Sequence, residues 1–178
     1  MSELTVEYGG ALAELSFEEK IEDEILSQTR TITAVLAENP AYVRFLSSPA
    51  VSRAERLSAA DKAFAGVHPY LKNFIKMMTE RGYADELVAC FEEYERTYFK
   101  NKHISVAFVE SAVALSDGQK KKLAESLEKK TGKKIELKCS VDTSVIGGIK
   151  VKLDGKLYDG SVRGRLDELR RTLADTNN

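Results

Sequence analysis

The spacing of the apolar side chains changes from a helical to a strand period near residue 103, and this change constrains the fold more than any other feature of the chain. Before it, apolar residues recur every three to four positions, as on one face of an α-helix. After it, they alternate with polar or small residues, as in a half-buried β-strand. The sequence therefore predicts two domains, a helical one over residues 1–102 and a smaller mixed one over 103–178.

The first domain is predicted to contain six amphipathic helices with short joints. Asn39-Pro40, Gly66 and Gly82 are typical helix ends, since proline stops a preceding helix and glycine favours its C-terminal cap. Ser16 and Ser52 are predicted to cap the second and fourth helices. Helices of this kind with short connections predict a bundle.

The second domain is predicted to alternate strands and helices. Strand patterns begin at Ile104, Ile135 and Ile149, and the Ser116–Gln119 capping box begins a helix. Asp154-Gly155 predicts a tight hairpin, because a type I′ turn needs positive φ at both central residues. The predicted fold class is therefore α+β: an N-terminal six-helix bundle, then a small domain with a hairpin-containing sheet and two helices.

Charge divides in the same way. The chain carries 12 Lys/Arg and 17 Asp/Glu up to His103, and 15 and 11 after it, so a net charge of −5 is followed by one of +4. Such asymmetry indicates two units with different partners. No apolar run reaches the ~18 residues of a membrane span, and Met1–Leu4 lacks the features of a signal peptide. We expect no direct membrane insertion and a location on the reducing side of a membrane.

The sequence shows no pattern typical of catalysis or of metal binding. Cys90 and Cys139 match no metal or redox spacing, and the two histidines, His68 and His103, stand in junctions between elements. We expect buried cysteines, no metal, no cofactor and no active site. These features favour a two-domain binding protein that is not an enzyme.

Two alternatives remain: an unrecognised enzyme, against which the absence of any catalytic pattern counts, and a nucleic-acid-binding module. Seven lysines cluster in the second domain: Lys120, Lys121, Lys122, Lys129, Lys130, Lys133 and Lys134. However, no aromatic residue lies between Phe108 and Tyr158 to stack on bases, and Glu125 and Glu128 interrupt the basic charge. We therefore favour no nucleic-acid partner.

Three segments resemble a known family. Val145–Val151 (VIGGIKV) and Asp159–Leu169 (DGSVRGRLDEL) closely resemble the C-terminal signature of the delta subunit of bacterial F-type ATP synthases, which is related to the mitochondrial oligomycin-sensitivity-conferring protein. Tyr8–Leu12 (YGGAL) resembles the first-helix segment of that family, usually Tyr-Ala-x-Ala-Leu. Gly9 stands where the family usually has alanine, and we expect it to loosen the start of the helix.

The resemblance implies a mechanical role. The delta subunit is a stator component that joins the catalytic head to the peripheral stalk, so that ion-driven rotation is coupled to ATP synthesis. It implies that the bundle binds the N-termini of the alpha subunits and that the second domain binds the b subunits. It also implies a monomer when isolated, one copy per complex, on the cytoplasmic face of the bacterial inner membrane.

The resemblance also assigns residues to both contacts. Five residues of the first and fifth helices are expected to line the groove for the alpha subunits: Tyr8, Ala11, Leu12, Met77 and Met78. Nine signature or stalk-side residues are expected in the second domain: Gly147, Gly148, Asp159, Gly160, Ser161, Arg163, Arg165, Leu166 and Arg170.

Overall fold

The computed structural model describes residues 2–143, 145 and 147–160, and within them it contains seven α-helices and four β-strands. The chain divides into two compact units, Met1–Tyr98 and Phe99–Asn178. An all-helical segment followed by a mixed sheet with a helix confirms the predicted α+β class. The predicted last helix, with its cap Ser161, lies outside the described residues.

The first unit is built from six helices, and the last of them runs past its boundary. They are α1 (Glu3–Glu18), α2 (Glu22–Glu38), α3 (Pro40–Ser47), α4 (Arg53–Ala63), α5 (Pro69–Glu80) and α6 (Leu87–Asn101), with a 3-10 turn at Ala84–Glu86 before α6. Ser52 and Glu55 form the capping box that begins α4, and Pro69 occupies the first turn of α5, where its missing N–H costs no helical bond.

The prediction that Ser16 caps the second helix is wrong. Ser16 lies inside α1, where its hydroxyl donates to the Ala13 carbonyl at 2.8 Å and lies 3.1 Å from the Tyr94 hydroxyl. The Tyr94 hydroxyl in turn donates to the Glu22 carbonyl at 2.8 Å. Serine can bond the helix that precedes it as well as cap the one that follows. Here it fixes the α1–α2 junction to the buried face of α6.

The core of the first unit is formed by residues from most of its helices. The largest fully buried apolar side chains are Ile25, Leu46, Leu71, Ile75, Met78, Leu87 and Tyr94. Burial of apolar surface on this scale supplies most of the stability of a helical unit, because isolated helices of this length are marginal in water.

Glycine allows α1 to approach α6 closely. A Cβ atom at Gly9 would lie 2.6 Å from the Cys90 carbonyl oxygen and 2.8 Å from Glu93 Cβ, while one at Gly10 would meet nothing within 4 Å. The expectation that Gly9 loosens the helix start therefore misses its main role. Its lack of a side chain is what this helix contact requires.

The second unit contains a four-stranded mixed sheet. Its elements are β1 (Ile104–Ser111), α7 (Asp117–Thr131), β2 (Lys134–Val141), β3 (Ile149–Leu153) and β4 (Lys156–Asp159), and the strand order is β2-β1-β3-β4. β1 and β2 are parallel and joined by α7, as a parallel pair requires a crossover. The two other pairs are antiparallel.

Two predicted turns of this unit are confirmed. Ser116 and Gln119 form a complete capping box at the start of α7, and Gly132 ends the helix in the left-handed region. Asp154 and Gly155 have φ values of 49° and 78°, as a type I′ hairpin between β3 and β4 requires. The core cluster lies between the sheet and α7 and contains Ala107, Val109, Leu127, Val151 and Leu153.

Candidate functional site

An apolar groove lies between α1 and α5. It has a volume of about 440 Å³ and is lined by four residues of each helix, Tyr8, Ala11, Leu12 and Leu15 on α1 and Tyr70, Asn73, Phe74 and Met77 on α5. In each helix the four positions follow the spacing i, i+3, i+4, i+7, which places them on one face. The groove is therefore formed by one face of each helix, over about two helical turns.

The structure brings together four of the five predicted groove residues. Tyr8, Ala11, Leu12 and Met77 line the groove, with Ala11 exposed and Leu12 almost fully covered at its base. Met78 does not line it, because the next residue along a helix points about 100° away, and its side chain is fully buried in the core.

Four lining residues were not predicted: Leu15, Tyr70, Asn73 and Phe74. The signal was present in the sequence. Tyr70, Phe74 and Met77 share one face of α5, while Leu71, Ile75 and Met78 share another, so that helix has more apolar surface than a single core contact needs.

One end of the groove carries an arginine on an aromatic ring. Arg81 donates from Nη1 to the Tyr8 hydroxyl, and its guanidinium carbon lies 5.7 Å from the centre of the Tyr8 ring. This contact combines a hydrogen bond with a cation–π interaction. It fixes the Tyr8 ring at the end of the groove.

The surface beyond Tyr8 is polar and mainly acidic. A second depression shares Tyr8 with the groove and also contains Glu3, Glu7, Arg81 and Tyr83. The two glutamates exceed the single arginine, so this end attracts a cation next to an apolar stripe. The site is suited to bind an amphipathic helix with a basic residue near one end.

The described signature residues lie at one end of the sheet of the second unit. Gly147 and Gly148 precede β3, and Asp159 pairs with Lys150 at the end of β4. The Gly160 N–H donates to the Ile149 carbonyl at 3.0 Å, which joins the two parts of the signature. Ser161, Arg163, Arg165, Leu166 and Arg170 lie outside the described residues.

The thiols differ in their surroundings. Cys90 is buried, and burial, with the nearby Glu86 charge, raises the pKa of its thiol to about 11, so the thiol is protonated at neutral pH. Cys139 is exposed on β2, which corrects the expectation that both are buried.

Among the residues described, no group of three His, Cys, Asp or Glu side chains could hold a metal ion. None of the described helices combines the length and the apolar character that crossing a membrane requires.

Comparison with known proteins identifies similar chains. The family model for the ATP synthase delta (OSCP) subunit matches residues 4–173. A relative named ATP synthase subunit delta, from Halalkalibacterium halodurans, is 32% identical over 168 residues, which cover 93% of this chain and 92% of the relative. Another of that name, from Exiguobacterium sibiricum, is 31% identical over 166 residues, covering 93% and 94%.

A solved structure shares the fold. A chain in the cryo-EM structure of the Toxoplasma gondii mitochondrial ATP synthase hexamer matches with a TM-score of 0.74. The match covers 97% of this chain and 98% of that one at 18% identity, so it supports the fold alone.

Proposed function

Because the chain belongs to the ATP synthase delta (OSCP) subunit family, we propose that it is a non-catalytic stator subunit of an F-type ATP synthase. In this role it links the catalytic head to the peripheral stalk, so that ion-driven rotation is coupled to ATP synthesis instead of turning the head. The first unit binds the N-terminal helices of the alpha subunits. The second unit binds the C-terminal ends of the b subunits.

As a member of the ATP synthase delta (OSCP) family, the chain is in this proposal one subunit of a membrane-associated complex. We propose that it lies on the cytoplasmic face of the bacterial inner membrane and is held there by its partners. In isolation it is a monomer, and each complex holds one copy. The signature residues of the second domain, over 103–178, belong to the stalk side.

The groove between α1 and α5 is the observation that carries this proposal. Apolar side chains that line a groove on a protein surface often mark a binding site, and this groove has a volume of about 440 Å³. An amphipathic helix fits such a groove through apolar anchors at i, i+3, i+4 and i+7. Met77 on one wall supports this use, because an unbranched thioether adapts to the shape of a bound side chain.

The acidic end sets the chemistry of the bound helix. Glu3 and Glu7 lie beyond Tyr8, and Arg81 is held on the Tyr8 ring. A helix whose apolar stripe fills the groove therefore gains from a lysine or arginine at the end that reaches these glutamates. The contact is exposed, so it selects the orientation of the helix more than it adds affinity.

The test is calorimetric titration of the full chain with a peptide from the N-terminus of the matching alpha subunit. We expect one-to-one binding that Ala11→Asp weakens at least about tenfold, because the substitution leaves a carboxylate in an apolar contact. Ala54→Asp is the matched control, since it adds the same charge at an exposed position on α4.

Two results would count against the proposal. Equal affinity of the Ala11→Asp and Ala54→Asp chains, both folded by circular dichroism, would remove the groove from the contact. A chain that binds neither the alpha peptide nor the assembled catalytic head would refute the stator role.

A further inference from the structure

The C-terminal end of α5 holds Arg81 in a defined backbone position. The Tyr83 N–H donates to the Met78 carbonyl at 2.8 Å. The Gly82 N–H donates to the Thr79 carbonyl at 3.2 Å. These two bonds form a Schellman motif, in which the residue after the helix takes a left-handed conformation, here Gly82 with a φ of 80°. The side chain of Arg81 therefore starts from a point that the helix end fixes.

The Arg81 side chain reaches from α5 to the other wall of the groove. Its guanidinium donates to the Tyr8 hydroxyl and lies over the Tyr8 ring, 5.7 Å from the ring centre. The groove is lined by Tyr8 and not by Arg81, and Tyr8 also lines the acidic depression beyond it. The contact thus connects α5 to the residue of α1 that divides the two depressions.

The residues that follow Tyr8 on α1 do little to hold its ring. Gly9, Gly10 and Ala11 have either no side chain or a single methyl group. The Tyr8 side chain itself is only half-buried. A half-exposed side chain without a partner exchanges between rotamers, and a helix that binds it must then overcome the entropy of fixing it. The Arg81 contact removes this freedom before a partner docks.

We propose that Arg81 is a positioning residue for helix binding. It holds the Tyr8 ring at the end of the groove, so that the groove has its binding shape before its partner docks. Arg81 acts through Tyr8 and not through a contact of its own with the bound helix. This inference rests on the proposed function, because the partner is the amphipathic helix that the groove is proposed to bind.

The charge of Arg81 alone predicts the opposite effect on binding. The surface beyond Tyr8 contains Glu3 and Glu7, and it favours a helix with a basic residue at that end. Removing the positive charge of Arg81 would make this surface more acidic and would tighten the binding of such a helix. Positioning predicts weaker binding instead, so the sign of the change in affinity separates the two roles.

The experiment titrates the full chain with a peptide from the N-terminus of the matching alpha subunit. Arg81→Met keeps a long side chain but removes the charge and the hydrogen-bond donors. It is expected to weaken binding roughly three- to tenfold, which corresponds to ordering one side chain on binding. Arg44→Met is the matched control, because it makes the same change at an exposed position on α3. It is expected to bind within twofold of the wild type.

A double-mutant cycle tests whether Arg81 acts through Tyr8. In a chain that already carries Tyr8→Leu, adding Arg81→Met is expected to change the affinity less than about twofold, because the ring that Arg81 holds is gone. An unreduced three- to tenfold loss in the Tyr8→Leu chain would overturn the proposal and would place Arg81 in direct contact with the peptide.

The Tyr8 ring also provides a spectroscopic signature in the free chain. In NMR spectra of the full chain with labelled tyrosine, the ring signals that Tyr8→Leu removes belong to Tyr8. Arg81→Met is expected to shift these signals, and Arg44→Met is expected to leave them in place. Unchanged Tyr8 signals in an Arg81→Met chain that is folded by circular dichroism would overturn the positioning role.

The remaining outcomes separate this inference from the proposed function. If the wild type binds the alpha peptide and Arg81→Met binds it equally well or more tightly, Arg81 does not position the groove, while the stator role stands. If the wild-type chain binds neither the alpha peptide nor the assembled catalytic head, the stator role is refuted and the positioning role fails with it.

Discussion

Replacing Gly9 with alanine tests the close contact between α1 and α6. A Cβ atom there would lie 2.6 Å from the Cys90 carbonyl oxygen and 2.8 Å from Glu93 Cβ. Carbon atoms in ordinary contact are about 3.5–4.0 Å apart, so the new methyl group is short by at least ~0.7 Å. One obstacle is backbone, and Glu93 is held by its ion pair with Arg96 at 2.8 Å, so neither yields easily.

The Gly9→Ala substitution has two opposing effects on the free energy of unfolding. Overpacking of this kind costs about 1–3 kcal/mol, while alanine in a helix interior gains roughly 0.5–1 kcal/mol over glycine. Gly9→Ala is therefore expected to lower the free energy of unfolding by about 1–2 kcal/mol. Gly10→Ala is the matched control, because it makes the same gain one residue away with nothing within 4 Å of the new atom.

The difference between the two variants isolates the steric cost, since the helix propensity is common to both. A difference of about 2 kcal/mol corresponds to roughly 8–16 °C in melting temperature for a unit of about 100 residues. The assay is thermal unfolding of the full chain, followed by circular dichroism at a wavelength dominated by the helices. A Gly9→Ala chain that melts with or above Gly10→Ala would refute the reasoning.

Three further predictions follow from buried or paired groups. Tyr94→Phe removes the hydroxyl that contacts Ser16, and is expected to lower the free energy of unfolding by about 1–3 kcal/mol in urea titrations, while a neutral effect would contradict its bonded role. A thiol reagent at pH 8 is expected to modify Cys139 at once and Cys90 only after unfolding, because burial raises the pKa of the Cys90 thiol to about 11. Rapid modification of both cysteines in the folded chain would contradict this prediction. Lys133 Nζ donates a hydrogen bond to the Asp154 carboxylate at 2.9 Å and lowers the pKa of that carboxyl below its ordinary 3.8. Asp154→Asn is therefore expected to lower the free energy of unfolding by about 0–1 kcal/mol at neutral pH. This stabilisation is present above pH 3.8 and is lost as the pH falls through the folded-state pKa of Asp154. The free energies of unfolding of the wild type and of Asp154→Asn, measured in urea, should therefore converge in acid. A difference between them that grows in acid would contradict the prediction.

The local elements were predictable because their signals are local. Helical periodicity, the Ser52 and Ser116 capping positions and the Asp154-Gly155 turn each depend on a few neighbouring residues, and the structure confirms them. The role of Ser16 was predicted wrongly because a serine can bond either the helix before it or the helix after it. The choice was made by Tyr94, which is 78 residues away in sequence.

The groove was only partly predictable for a related reason. Tyr8, Ala11, Leu12 and Met77 were expected from a resemblance, whereas the sequence alone does not say which apolar face of α5 is buried. Met77 and Met78 are chemically equal neighbours. Packing against the rest of the bundle decides between them, and it buries Met78.

The two faces of α1 explain how the helix packs on α6 and still lines an open groove. On one face, Gly9 lets the helix lie against the backbone of α6. On the other face, Tyr8 and Ala11 remain available, with the Tyr8 ring fixed by Arg81. A helix that is already packed before its partner docks loses little further conformational entropy on binding, which suits the proposed stator role. Gly9, which departs from the alanine that the resemblance predicts at this position, therefore positions the wall to which the catalytic head is proposed to bind.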